Sequence, residues 1–234
     1  MIVLRQKDMR EALPGLQTAS VDLIVSDVAY DVISGGNTTK HRRCGGILNA
    51  NDGKIFKENN IHISEYAAEM FRVLKDPSHC YIMSNVKNMF EVHAEMIRAG
   101  FKLHNVLMWR KNTVNPNRWY MKNGEYILMF RKGKAFPIAN KSTKTIMDFD
   151  DEPIAIEVKN IVGPDKPHPT VKPVLLMETL IRNSSKPGDW VLDMFMGSGT
   201  TGEAAINLGR NFIGIEMDPE HYLTACKRLG VMPS

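Results

Sequence analysis

A glycine-rich segment between two predicted strands carries the clearest chemical pattern in the sequence. The segment at 188–218 reads GDWVLDMFMGSGTTGEAAINLGRNFIGIEMD: one strand ends at Asp193, a Gly-Ser-Gly turn follows, and the next strand ends at Glu216. Glycines in such a turn let a ligand approach the backbone closely, and an acid ending the next strand can accept hydrogen bonds from ribose hydroxyls. The pattern therefore predicts a site for a ribose-containing cofactor.

The glycines alone leave more than one interpretation open. The run GSGTTG matches the GxGxxG pattern of dinucleotide sites at Gly197, Gly199 and Gly202, so a NAD enzyme is one alternative. A tight strand-to-helix junction without a ligand is another. No GKT or GKS follows the turn, which argues against a phosphate-binding P-loop.

Further motifs surround the turn in a distinctive order. HPTVKP lies at 168–173, an apolar helix with Leu176 and Ile181 follows, and PGD, VLDMFMGSGTT and GIEMD come next. The order closely resembles the C-terminal half of the β-type DNA amino-methyltransferases, in which KP, PGD, VLDPFxGSGTT and GIE succeed one another. The resemblance implies S-adenosylmethionine as cofactor and S-adenosylhomocysteine as product. Met194 stands where the family usually has proline.

The same resemblance assigns cofactor-binding residues, and the sequence contains no metal-ligand pattern. Glu216 is expected to hold the ribose, Asp8 to contact the cofactor adenine, and Lys172 with Thr170 to help close the pocket. The residues expected around the methionine part are Asp193, Phe195, Gly197, Ser198, Gly199, Thr200 and Thr201.

A second motif supplies the candidate catalytic residues. In the family, (D/N/S)PP(Y/F/W) follows an apolar strand, and here VDLIVS is followed by Asp27, Val28, Ala29 and Tyr30, without either proline. A conjugated exocyclic amine is a poor nucleophile, so its lone pair must be oriented by acceptors for both N–H groups. The Asp27 carboxylate and the Val28 carbonyl can accept them while Tyr30 stacks on a flipped base. Because aspartate rather than serine stands first in the motif, the resemblance favours adenine N6 over cytosine N4.

The pattern of elements predicts a doubly wound, mostly parallel α/β sheet of the Rossmann-like type. Apolar periodicity predicts strands at 2–4, 21–26, 79–83, 103–109, 126–130, 190–193 and 211–216. Helices are predicted at 9–16, from an N-cap at Ser64 to before Pro77, and at 86–97, 174–183, 200–208 and 219–229. Residues 31–60 are expected to form a loop that closes over the flipped base.

Basic residues cluster beside these motifs and predict contact with double-stranded DNA. Residues 110–144 carry nine Lys or Arg against the single acid Glu125. Such an excess favours phosphate contacts over a merely solvated face when it flanks a catalytic motif. The candidate DNA-binding residues are Arg42, Arg43, Arg110, Asn112, Arg118 and Trp119; for Trp109 and Trp119, core packing is the stronger interpretation.

Composition limits the remaining possibilities. The chain has 234 residues and a net charge of +4, with three cysteines outside any disulfide or zinc pattern. No apolar run approaches the ~20 residues of a bilayer span, so we expect a cytoplasmic protein of a bacterial or phage-infected host cell, without membrane contact. The oligomeric state stays open, with a homodimer as one alternative.

The sequence thus predicts one catalytic domain in three parts. Residues 1–109 form its catalytic part, 110–165 a target-recognition insertion, and 166–234 its cofactor-binding part. The predicted reaction is site-specific methylation of adenine N6 in DNA, as in restriction-modification systems. Alternatives are cytosine N4 methylation, methylation of RNA or protein, and an impaired protein that binds cofactor and DNA without methyl transfer, because both prolines are absent.

Overall fold

One mixed sheet with helices on both faces forms the body of the molecule. The computed structural model describes residues 1–28, 61–115, 120, 122–148 and 172–233. Its strands are β1 (Ile2–Gln6), β2 (Val21–Asp27), β3 (Leu74–Ser84), β4 (Lys102–Asn115), β5 (Lys122–Lys132), β6 (Ile146–Asp148), β7 (Trp190–Asp193) and β8 (Asn211–Glu216). Its helices are α1 (Met9–Ala12), α2 (Ala67–Val73), α3 (Met89–Arg98), α4 (Val174–Ser184), α5 (Thr200–Asn207) and α6 (Pro219–Leu229).

The strand order brings the two predicted motifs side by side. The order is β1-β8-β7-β2-β3-β5-β4-β6, in which β5 is antiparallel to β3 and β4 and the other neighbours are parallel. From β7 the chain continues through α5 to β8 on one side, whereas β2 continues through α2 to β3 on the other side. The β7–β2 junction is therefore a topological switch point, where ligands bind outside the strands' carboxyl ends.

The core lies on both faces of the sheet. Within β2, Leu23 and Val25 contribute to one apolar cluster and Ile24 to the other. Residues of α1, α2 and α3 fill the cluster that contains Ile24, and residues of α4, α5 and α6 fill the cluster that contains Leu23 and Val25. The predicted doubly wound, mostly parallel fold is thus confirmed, and the continuous apolar run of β2 has the expected cause, since both of its faces are covered.

Two predictions for individual helices are wrong. Ser64 is not the N-cap of α2, because residues 63–65 form a 3-10 turn capped by His62, and Tyr66 occupies the N-cap position. In α3 the buried residues are Val92 and Met96. The apolar spacing of Val86, Met89, Phe90, His93 and Ile97 predicts a different inward face, yet Phe90 and Ile97 in the helix and Val86 before it are exposed. Because this segment also has apolar residues on its exposed side, the helical periodicity of its sequence predicted the wrong face of α3 as the buried one.

The basic stretch also contains more regular structure than the sequence indicated. Strand β4 continues to Asn115 and β5 begins at Lys122, so the two form a long hairpin in the central sheet. The short strand β6 then pairs with β4, from Met108↔Ile146 to Arg110↔Asp148. The described residues of 110–165 therefore extend the sheet, and the three-part division of the chain stays a prediction.

Helix α5 lies close to its neighbours because it contains Gly202. A Cβ added at Gly202 would lie 2.7 Å from both Leu229 Cδ1 and Phe212 Cε1. We expect Gly202→Ala to destabilise the fold by about 1 kcal/mol, since ~1–3 kcal/mol of overpacking exceeds the ~1 kcal/mol gained in helix propensity.

Urea unfolding measures this change. The matched control is Gly15→Ala, because the nearest atom to its added Cβ is Arg5 Nη1 at 3.5 Å, an ordinary contact. It should shift stability by less than about 0.5 kcal/mol. Equal stability of the Gly202→Ala variant and the wild type would contradict this account of α5 packing.

Candidate active site

The strands β2 and β7 place two carboxylates at the switch point. Asp27 ends β2 and Asp193 ends β7, which runs parallel beside it. Between them, Ser26 Oγ donates a hydrogen bond of 2.7 Å to Asp193 Oδ1. Ser26 is completely buried, so this bond joins the predicted catalytic strand to the predicted cofactor strand inside the core.

Asp193 is a buried acid surrounded by donors. Burial raises the pKa of Asp193 to about 6, while hydrogen bonds from Thr201, Ser26 and the Phe195 backbone N–H act in the opposite direction. The Phe195 N–H lies 3.1 Å from Oδ1. The carboxyl group therefore fixes the start of the glycine turn.

The glycine turn faces open space at one glycine and packs tightly at another. Gly197 has φ 51°, and an added Cβ there would meet nothing within 4 Å. Gly199 has φ 85°, and its Cβ would lie 3.1 Å from Ala225 Cβ. Gly199 thus lets α5 approach α6, whereas Gly197 exposes backbone to an open space in which a ligand can lie.

Glu216 closes the other side of this turn. Its Oε2 accepts a 2.9 Å bond from the Gly197 N–H, and its Oε1 accepts a 2.9 Å bond from the Asp218 N–H. Burial raises the pKa of Glu216, against the effect of these two backbone donors. The carboxylate is therefore oriented at a strand end, beside the open face of Gly197, as a ribose-binding acid requires.

The remaining residues of the motif support this turn. Thr201 and Thr200 are buried, and Thr200 Oγ1 accepts a 2.6 Å bond from Arg228 Nη1. The Phe195 ring packs edge-on against Tyr66, with ring centroids 5.5 Å apart. Ser198 is half-buried, and Met194 is 1% exposed, so the residue that replaces the family's proline lies in the core.

Asp27 has one oxygen bound and one oxygen available. Lys172 Nζ donates to Asp27 Oδ2, and Lys172 is only 7% exposed. Asp27 Oδ1 is buried and has no hydrogen-bond partner among the described residues. A buried acceptor in this state is costly, so Oδ1 is suited to receive a donor from a substrate.

Comparisons with known proteins agree with this geometry. A family model described as a DNA methylase, for N6 and N4 methyltransferases, matches residues 21–227. The chain belongs to this family. The type II methyltransferase M2.DpnII of Streptococcus pneumoniae is 31% identical, over 97% of this chain and 89% of its own length. M2.LlaDCHI of Lactococcus lactis subsp. cremoris is 29% identical, over 97% of this chain and 88% of its own length.

Solved structures support the same assignment. The M1.HpyAVI–SAM complex matches with a TM-score of 0.69 and 27% identity, covering 98% of this chain and 100% of that chain. The cytosine-N4-specific PvuII DNA methyltransferase, at 18% identity and a TM-score of 0.69 over 97% of this chain and 86% of that chain, is similar in fold. The chain is thus a site-specific DNA methyltransferase that uses S-adenosylmethionine, and the open face of Gly197 beside Glu216 fits this cofactor.

The structure brings together most of the residues predicted for the methyltransferase's site. Tyr30, Thr170, Arg42, Arg43, Arg118, Trp119 and the Asn112 side chain lie outside the described residues. Val28 is buried directly after β2, and half-exposed Arg110 forms an ion pair with Asp148. No helix in the described ranges is long and apolar enough to cross a membrane.

Asp8 serves a local structural purpose. Its side chain caps α1 by accepting a 2.8 Å bond from the Arg10 N–H, and both of its oxygens contact the Arg10 guanidinium. Hydrogen bonding to Arg10 lowers the pKa of Asp8 despite partial burial. The predicted contact between Asp8 and the cofactor adenine stays a prediction.

Sequence reasoning missed two residues of the methyltransferase's site. One is Ser26, which is the last residue of the apolar run VDLIVS and belongs to none of the motifs identified in the sequence. The other is Glu125, whose Oε2 lies 3.3 Å from Lys172 Nζ. The sequence feature that could have identified Glu125 is that it is the single acid in the stretch 110–144, which contains nine Lys or Arg.

The raised pKa of Asp193 predicts a pH-dependent stability. Because this pKa rises from 3.8 to about 6, the folded protein binds the proton more tightly than the unfolded chain. The contribution of Asp193 to stability is full below about pH 4 and is lost as the pH rises through about 6. At ~1.4 kcal/mol per pKa unit, the loss is on the order of 3 kcal/mol.

The variant Asp193→Asn tests this dependence, since its carbonyl can still accept bonds but does not titrate. Unfolding free energies of both proteins should be measured from about pH 4 to 7.5, a range that contains the predicted titration. We expect the variant to gain stability relative to the wild type as the pH rises. Parallel curves over the whole range would show that Asp193 does not titrate as described.

Proposed function

We propose that the chain methylates adenine N6 in double-stranded DNA, with Asp27 as the catalytic residue. The observation that carries the proposal is the state of the Asp27 carboxylate, with Oδ2 bound by Lys172 and Oδ1 buried without a partner among the described residues. An unsatisfied buried acceptor costs ~1–3 kcal/mol, and an arriving N–H donor removes that cost.

Two acceptors at the end of β2 account for activation of the amine. Asp27 Oδ1 and the Val28 carbonyl accept one N–H each, which turns the nitrogen lone pair away from the ring and toward the methyl donor. When bound, S-adenosylmethionine supplies an electrophilic methyl group. Asp27 Oδ1 is also the atom placed to receive the proton that the methylated amine must lose.

Cofactor binding is assigned to the glycine turn. Glu216 holds the ribose, and the Gly197 backbone with buried Asp193 lies beside the methionine part. The support is the open space at Gly197 and the position of both carboxylates at neighbouring strand ends. Lys172 belongs to the catalytic side of this pocket through its bond to Asp27.

The target base must leave the duplex to reach Asp27, because the carboxylate is recessed at the sheet edge. Base flipping with stacking on Tyr30 is therefore part of the proposal. The basic stretch that contains β4 and β5 supplies Arg110, Asn112, Arg118 and Trp119 for DNA contact, and the basic sequence cluster with Arg42 and Arg43 adds further contacts. Glu125 supports this arrangement, since its contact with Lys172 places the hairpin beside Asp27.

The names of the relatives support a proposal for the cellular setting. Both curated relatives are named type II methyltransferases, which favours a cytoplasmic modification enzyme of a restriction-modification system. We infer that this chain likewise protects one DNA sequence by methylation, as a monomer or homodimer.

Removal of the Asp27 carboxylate tests the proposed chemistry. Asp27→Ala should lower methyl transfer to DNA by on the order of 100-fold or more, because an acceptor needed in the transition state is lost. Affinity for S-adenosylmethionine should change by less than about threefold, since Asp27 is not assigned to the cofactor. Transfer of labelled methyl groups and calorimetric titration measure the two effects.

Analysis of the methylated nucleosides from the same reaction identifies the base. We expect N6-methyladenine; N4-methylcytosine would replace the adenine assignment, and cofactor binding without any methylated base would indicate the impaired protein. Glu220→Ala, at an exposed carboxylate on α6, is the control. Wild-type turnover in Asp27→Ala would show that the active site lies elsewhere.

DNA binding should depend steeply on salt. The net excess of eight positive charges at 110–144 predicts several phosphate contacts, each adding about −0.9 to the slope of log affinity against log salt concentration. Titration of a labelled duplex at several salt concentrations gives this slope, and Arg110→Ala should reduce it by about one unit if that side chain binds phosphate. An affinity that is insensitive to salt would contradict the proposed interface.

A further inference from the structure

Four alternating charges connect the basic hairpin with the catalytic carboxylate. Lys172 contacts Asp27 Oδ2 and lies 3.3 Å from Glu125 Oε2, and Lys111 contacts Glu125 Oε1. Lys111 and Glu125 lie on neighbouring strands β4 and β5, and Lys172 lies two residues before α4. The buried ammonium of Lys172 is thus shared by carboxylates from β2 and β5.

The antiparallel direction of β5 explains how Glu125 reaches this place. The register pairs Ser84 with Tyr126 and Met83 with Asp27, so the start of β5 lies at the carboxyl edge where β2 ends. Glu125 is the residue just before Tyr126. Opposite it in β4 lies Trp109, whose ring is 5.0 Å from Lys111 Nζ.

The electrostatics favour a fully charged group of side chains. Burial alone raises the pKa of Glu125, but the nearby Lys172 and Lys111 ammonium groups outweigh burial and lower it. Two cations and two anions balance one another, which reduces the cost of enclosing them. Removal of Glu125 would leave Lys172 with one fewer carboxylate to hold its position.

We propose that Glu125 is a positioning residue for methyl transfer. By binding the same ammonium as Asp27, it holds Lys172 against Oδ2, so that Oδ1 is the oxygen presented to the base. This inference rests on the proposed role of Asp27. It also assigns the hairpin a function beyond DNA contact, since the position of β5 affects the geometry of the catalytic carboxylate.

The test compares Glu125→Gln in two backgrounds. In the wild-type background, kcat at saturating DNA and cofactor should fall at least tenfold, since small misplacements at a reacting group are costly. The dissociation constant for S-adenosylmethionine should stay within about twofold. In a Lys172→Met background, Glu125→Gln should leave kcat unchanged or raise it, because the link to Asp27 is already lost and one buried carboxylate is removed.

The second background separates positioning from support of the hairpin. If Glu125 merely stabilised β5, its substitution would lower kcat by a similar factor in both backgrounds, and that result would overturn the inference. The matched control is Glu69→Gln, since Glu69 is similarly buried and forms an ion pair with Arg72 away from the site. It should change kcat by less than about twofold.

A third variant decides the matter even if Lys172→Met shows no measurable turnover. Glu125→Asp keeps the charge on a shorter side chain and should retain more activity than Glu125→Gln. The reverse order overturns the inference. Failure of the proposed function gives a different result. An active Asp27→Ala variant refutes that function. An inactive Asp27→Ala variant together with a fully active Glu125→Gln variant refutes only the role of Glu125.

Discussion

Two carboxylates at the ends of neighbouring parallel strands impose the main constraint on this structure. Asp193 and Asp27 are close enough for the charge of Asp27 to contribute to the raised pKa of Asp193, although burial is the larger cause. The chain stabilises them in different ways. Hydrogen-bond donors surround Asp193, whereas a buried ammonium binds Asp27. The difference suits the proposed roles, in which Asp193 fixes a turn and Asp27 keeps one oxygen available for the substrate amine.

This arrangement makes distant parts of the sequence depend on one another. Lys172 lies 145 residues from Asp27 along the chain, and Ser26 lies 167 residues from Asp193. Strand β2 carries both contacts at adjacent positions, so a change of one residue in its register would exchange their faces. Its alternating contacts with the two apolar clusters fix that register. Core packing on both sides of the sheet therefore sets the geometry of the active site.

The sequence predicted the elements of this site better than the contacts between them. Strands β7 and β8 and helix α6 have their predicted bounds, because local signals such as Gly209 and Asp218 mark their ends. The extension of β4 to Asn115 depends on pairing with β5, for which its polar residues give no local signal. Ser26 and Glu125 were missed for a related reason, since their roles arise from partners far away in sequence.

The structure shows which contacts hold the backbone at the end of β2, where the family's motif has two prolines and this chain has none. In a proline-containing motif, fixed φ angles restrict the backbone that presents the acceptor carbonyl. Here Val28 is 2% exposed and packs in the same apolar cluster as Ile61 and Met194. Packing of a β-branched side chain restricts that position by another route. The ion pair with Lys172 holds the preceding Asp27 as well. Tertiary contacts on both sides of the Asp27–Val28 peptide thus hold the end of β2, and the proposed pair of acceptors does not require the two prolines to be held in place.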